Sequence, residues 1–102
     1  MNAFEIYEKV FDKMNELYFS DRQKYDNFGI LLGQMSPHIF SNTYSADPAW
    51  FIDFSKKLKS RNKTNPTVQD GLDVIYEMIL DYNNETYNIK DFIDDYYKLY
   101  EL

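Results

Sequence analysis

The sequence predicts an all-α fold, a compact single-domain bundle of four to five helices over residues 1–102, with a longer irregular connection near 36–46. Three observations predict it. Apolar residues recur at three- and four-residue steps along most of the chain. Capping signals stand at the heads of those stretches. No stretch sustains the period-two alternation of a half-buried strand.

The first helix opens at Asn2, which stands three residues before Glu5, the spacing of a capping box. Phe4, Tyr7, Phe11, Met14 and Tyr18 follow as one apolar face, flanked by Val10 and Leu17, and the pattern runs to about Phe19. Ser20 and Gln23 repeat the capping spacing. They predict a second helix whose buried face is Tyr25, Phe28, Leu32 and Met35, with Leu31 beside them. Gly29 and Gly33 are four apart on that helix and predict a closely packed neighbour. Ser36-Pro37 ends it, because the residue before proline is pushed out of the helical region.

The uncharged run from Phe28 to Ala46 continues past that point, with Ile39 and Phe40 expected in the core. Asp47-Pro48 is the sharpest local signal: a capping carboxylate followed by proline in the first helical position. Trp50, Phe51, Phe54 and Leu58 then fall within about 100° of arc, while Ile52 lies off that face. A polar linker leads to a fourth helix starting at Asn65-Pro66 or Thr67, with Val68, Leu72, Ile75, Ile79 and Tyr82 buried and Asn83-Asn84 at its end. Asn88, with Asp91 at N3, opens a last helix with Ile89, Phe92, Ile93, Tyr96 and Tyr100 inward, and with Asp94 and Lys98 spaced to pair.

The net charge of −6 is spread unevenly. Residues 1–55 hold 8 acids and 4 bases, a balance of −4; residues 56–63 hold 5 bases and no acid, +5; residues 64–102 hold 9 acids and 2 bases, −7. An acidic surface argues against nucleic acid and for a basic protein partner. There is no cysteine, so disulfides and thiolate metal sites are excluded and a reducing compartment suits the chain. MNAFEIYEK lacks the basic-then-apolar pattern of a signal peptide, and no apolar run is long enough to span a bilayer. The expectation is a cytoplasmic protein. Ten Tyr and eight Phe fill a short helical core, in a composition rich in Asn, Lys and Ile that fits an AT-rich bacterial coding sequence.

The most specific pattern is on the fourth helix. Asp70, Asp73, Glu77, Asp81 and Glu85 step by 3, 4, 4 and 4 and share one band opposite the buried stripe, with no Lys or Arg between residues 64 and 89. Like charges at i,i+4 cost a few tenths of a kcal/mol each. A solvated face, paired in part with the preceding basic run, is the bland account; a docking face for a basic partner is the functional one. Evenly spaced carboxylates on one helix do not converge on a metal, and no EF-hand loop is present. The basic run Lys56, Lys57, Lys59, Arg61, Lys63 complements the dipole of its helix and offers an alternative anion-binding patch.

His38, the single histidine, has Ser36, Ser41 and Ser45 near it but no nucleophile motif. The three glycines form no phosphate loop. No cofactor or metal is expected, and no enzyme. In composition the chain resembles small acidic helical immunity proteins, antitoxins and phage-encoded inhibitors. That resemblance implies a non-catalytic module docking a basic partner through an acidic face. The alternatives are a nucleic-acid-associated regulator using residues 56–63 and a homo-oligomeric helical protein whose aromatic C-terminal helix, with Tyr96, Tyr97, Tyr100 and the terminal Leu102, forms a self-interface.

Overall fold

Four helices carry the described fold of the computed structural model: α1 (Ala3–Ser20), α2 (Phe28–Met35), α3 (Pro48–Arg61) and α4 (Val68–Tyr82). The structure describes residues 2–26, 28–38, 45, 47–82, 92, 94–96 and 98, the side chains of 80 and 82 excepted. Phe92, Asp94 to Tyr96 and Lys98 are helical as well, and no strand occurs among the described residues. The predicted all-α bundle is the fold. Expectations for Ile39, Phe40, the Asn83-Asn84 end, Glu85, the Asn88 start, Tyr97, Tyr100 and Leu102 fall outside the described residues.

α1 and α3 each pack against the three other helices and form the centre; α2 and α4 flank them. The caps explain where the helices begin. Asn2 and Glu5 exchange the expected reciprocal bonds, Glu5 N to Asn2 Oδ1 at 2.8 Å and Asn2 N to Glu5 Oε1 at 3.1 Å. Asp47 Oδ1 accepts from Ala49 N at 3.1 Å with Pro48 in the first turn. Thr67 is the true start of α4: its Oγ1 accepts from Asp70 N at 3.2 Å while Asp70 Oδ2 accepts from Thr67 N at 2.9 Å, so Asp70 completes a capping box.

Ser20 is not a cap. It is the last residue of α1, and its hydroxyl donates back to the Leu17 carbonyl at 2.6 Å. Asp21 supplies the capping acceptor one residue later, to Lys24 N at 3.1 Å, and opens a turn rather than a helix, so α2 begins only at Phe28. The predicted apolar face survives this shift, since Tyr25, Phe28, Leu31, Leu32 and Met35 are all buried.

Two faces differ from the reading of their periodicity. On α1 the buried set is Ile6, Tyr7, Val10, Phe11, Met14 and Leu17, so the face is turned toward Ile6, while Phe4 and Tyr18 are half-buried. On α4, Val74 and Met78 are buried beside Leu72, Ile75 and Ile79, so the face is wider than one stripe and Val68 lies at its margin. Gly71 explains the first difference. A Cβ there would overlap Ile6 Cγ2 and lie 3.3 Å from Val10 Cγ2 and 3.5 Å from Phe54 Cζ. α4 therefore sits on α1 as closely as a missing side chain permits, and Ile6 fills the contact.

Tyr7 ties the other side together. It is fully buried, donates its hydroxyl to the Met35 carbonyl at the end of α2, and meets Phe51 and Phe54 edge-on at 5.5 and 5.1 Å between ring centres. Burial pushes the Tyr7 phenol well above its ordinary range. The last segment is pinned the same way: Tyr96 donates to the Val10 carbonyl at 3.0 Å, Phe92 stacks on Phe28 at 4.3 Å, and Tyr25 donates to Asp95 at 2.5 Å. Among the described residues Asp95 makes an ion pair, to Lys24 at 2.8 Å, and the expected Asp94–Lys98 pair is not formed. Tyr96 thus closes the bundle on α1 and is fully buried.

The glycines of α2 do not play the role their spacing suggested in full. Gly29 lies against the Tyr18 hydroxyl, but Gly33 faces open space. Alanine substitutions should separate these cases in urea unfolding. Gly71→Ala is expected to cost about 1–3 kcal/mol by overpacking, although alanine is the better helix former. Gly33→Ala is expected to add about 0.5–1 kcal/mol, because nothing opposes the gain in helix propensity.

Candidate functional site

The acidic band of α4 does not stand opposite the core. It faces α3, because the buried face of α4 is wide enough to carry Asp70 and Asp73 to the helix–helix seam, where both are half-buried. There one cation meets three carboxylates. Arg61 places Nη2 2.6 Å from Asp73 Oδ2, Nε 3.3 Å from Asp70 Oδ1 and Nη1 3.9 Å from Glu77 Oε1. A turn away, Lys57 Nζ stands 3.7 Å from Asp81 Oδ2. The planar fork of the guanidinium suits this convergence; an ammonium at position 61 would reach fewer of the oxygens.

Asp70 is the most committed of the four. Its carboxylate also accepts from Thr67 Oγ1 at 3.1 Å and Asn62 Nδ2 at 3.3 Å. The Thr67 backbone N–H above all, with the Asn62 and Arg61 donors, holds Asp70 below the usual carboxylate range. Its role is to fasten the α3–α4 linker, and its oxygens are taken. Of the predicted band, Glu77 and Asp81 remain exposed, with side chains 55% and 74% accessible; Glu85 lies outside the described residues.

The basic run divides in the same way. Arg61 and Lys57 are spent on α4, whereas Lys56, Lys59 and Lys63 are exposed and make no ion pair among the described residues. The predicted pairing of the two runs is therefore real but partial. It engages Asp70 and Asp73 closely and Glu77 and Asp81 at longer range, and it leaves Lys56, Lys59 and Lys63 out.

Asp81 opens onto a feature that periodicity did not show, a groove of about 330 Å³ between the N-terminal half of α3 and the last turns of α4. Trp50 and Met78 supply apolar wall, and Asp47, Asp53, Lys57 and Asp81 stand around it. Asp47 uses one oxygen to cap α3. Asp53 is exposed and makes no ion pair among the described residues. Three carboxylates thus face one ammonium across a partly apolar cleft. Trp50 is buried, at 8% exposure, as its place on the aromatic face of α3 predicts. Its neighbours Asp47 and Asp53 were in view in the sequence as a cap and a lone acid. What joins them to Asp81 is the packing of α3 on α4.

His38 sits elsewhere, over Phe11 of α1 at 5.9 Å between ring centres. Its Nε2 is 2.8 Å from Asp12 Oδ1 and its Nδ1 3.9 Å from Glu8 Oε2, and its backbone N–H donates to Ser36 Oγ at 3.3 Å. Both ring nitrogens thus face carboxylates rather than a hydroxyl. No three His, Asp or Glu side chains are grouped to hold a metal ion among the described residues. No helix among them is long and apolar enough to cross a membrane.

Two outcomes check the electrostatics. Arg61→Met should lower stability by about 0.5–1 kcal/mol at low ionic strength, and the loss should shrink in high salt, since the cluster is partly exposed and screened. Asp70 and Asp95 both ionise below the usual carboxylate range, Asp95 mainly because Lys24 hydrogen-bonds to it. Their contribution is complete above the unfolded carboxylate pKa of about 3.9 and is lost as the pH falls through their lower folded values. Acid unfolding should therefore steepen below about pH 4 in the wild type and flatten in Asp70→Asn and Asp95→Asn.

Comparison with protein-family models, with curated proteins and with solved structures finds no match to this chain.

Proposed function

We propose that the protein is a non-catalytic binding module, of the kind that immunity proteins, antitoxins and inhibitors represent, and that it docks a basic protein through the acidic surface shared by α3 and α4. One observation carries the reading. Among the described residues around the groove beside Trp50 the charge stays unbalanced, with Asp47, Asp53 and Asp81 against Lys57. A helix pair stabilised only for itself would have matched those charges. Exposed Glu77 extends the same surface.

The docking part of the acidic band is then its Glu77–Asp81 end with Asp53, while Asp70 and Asp73 hold α3 to α4. Charges of this kind act mainly on the rate of association and on its salt dependence. The second reading, a nucleic-acid contact by the basic run, has in support three exposed lysines, Lys56, Lys59 and Lys63, that make no ion pair among the described residues. Against it, the other two cations of the run are bound to α4 carboxylates.

The test is affinity capture from the native lysate at low and moderate salt, with reconstitution from purified components. Wild type would run beside Glu77→Lys/Asp81→Lys. The expected result is a basic protein bound by the wild type and bound at least tenfold more weakly by the variant, with helicity and melting temperature nearly unchanged. Equal affinities of the two proteins for that partner would overturn the reading. A salt-steep gel shift lost on Lys56→Ala/Lys59→Ala/Lys63→Ala would replace it with the second one.

A further inference from the structure

The groove beside Trp50 has more chemistry than a charged rim needs. Its wall is apolar, from Trp50 and Met78, and its mouth is acidic. A long side chain that is apolar along its stem and cationic at its tip matches both. The volume, about 330 Å³, is at the small end of pockets that hold a ligand and takes one such side chain with its water.

The arrangement of the carboxylates distinguishes between the two cationic side chains. Lys57 already stands 3.7 Å from Asp81 as a point charge, and Asp53 is left without a cation among the described residues. A second ammonium would compete with Lys57 for the same oxygens. A guanidinium is planar, carries five donors and is weakly hydrated, so it suits carboxylates that stand apart on two helices beside an apolar wall better than an ammonium does. Resting on the docking function proposed above, we infer that this groove is the receptor for a single arginine side chain of the basic partner, the anchor about which the rest of the acidic surface is arranged. Asp53 is the residue that selects it, and Trp50 is part of the apolar wall beside its stem.

Other features of the molecule carry less. Ile30 and Phe19 are exposed, Phe19 with the Arg22 guanidinium 5.7 Å from its ring centre, but nothing indicates what covers either. His38 between Glu8 and Asp12 is an exposed contact on the surface of α1.

The experiment uses the whole chain and three capped tripeptides, acetyl-Ala-Xaa-Ala-amide with Xaa as arginine, lysine or citrulline. Trp50 is the only tryptophan, so its emission and its indole N–H resonance report the groove alone. The arginine peptide should shift both saturably. The lysine peptide should bind at least fivefold more weakly, and citrulline, neutral with nearly the same shape, should not saturate. Asp53→Asn, an exposed substitution that leaves the core untouched, should weaken arginine at least fivefold at an unchanged melting temperature. Equal responses to arginine and citrulline, equal responses to arginine and lysine, or no Trp50 response would overturn the inference. Failure here with partner binding still lost in Glu77→Lys/Asp81→Lys would remove the arginine anchor and leave the docking function standing. Failure of both would remove both.

Discussion

Where α4 meets α1 at Gly71, the two helices approach until only a hydrogen fits between them, and most of the remaining structure follows from that contact. Ile6 and Val10 press on the gap from α1 and Phe54 from α3, so one glycine sets the distance between three helices. With α4 drawn in so far, Val74 and Met78 are buried beside the expected stripe, and the acidic band rotates toward α3. Phe54 is in turn one of the rings that hold Tyr7, whose hydroxyl satisfies a carbonyl at the open end of α2. The core and the electrostatic seam are therefore two results of one close approach.

The seam shows how a run of like charges is made tolerable. Arg61 answers three carboxylates with one delocalised cation, and the linker lends Thr67 and Asn62 donors to Asp70. The surplus is pushed along the helix to Asp81, where Trp50 and Met78 exclude part of the solvent. Charges beside low-dielectric walls are felt further than the same charges in open water. The same packing that relieves repulsion at one end of α4 concentrates it at the other.

Much of this was legible in the residues. Asn2 with Glu5 and Asp47 with Pro48 are local signals, and local signals act wherever the chain goes, so the helix starts were readable. Burial along α2 and α3 was readable for the same reason. Ser20 misled because Asp21 next to it is an equally good acceptor, and a hydroxyl near the end of a helix can bond backwards as well as forwards. Ile6 and Gly71 were missed because neither is marked by its own neighbours; each makes sense only beside the other, 65 positions apart, at a distance no periodicity reports. The pairing of the acidic and basic runs was foreseeable from charge alone. The groove was not, since Asp47, Asp53 and Asp81 belong to different turns of two helices and become neighbours only when α3 and α4 pack.

The connection between α2 and α3 is clipped at its base. The Asp47 backbone N–H donates to the Gln34 carbonyl at 2.8 Å, and Ser45 Oγ, itself accepting from Phe51 N at 3.2 Å, is buried just before it. Among the described residues the connection is thus held at both ends, at His38 against α1 and at Ser45 and Asp47 where α3 begins. Closing a loop grows costlier only with the logarithm of its size, about 0.6 kcal/mol for each doubling. A change of length that left His38, Ser45 and Asp47 in place would therefore leave the end of α2 and the start of α3 where they are, and kinship between such chains would be written in the caps and in the Ile6–Gly71 pair rather than in overall length.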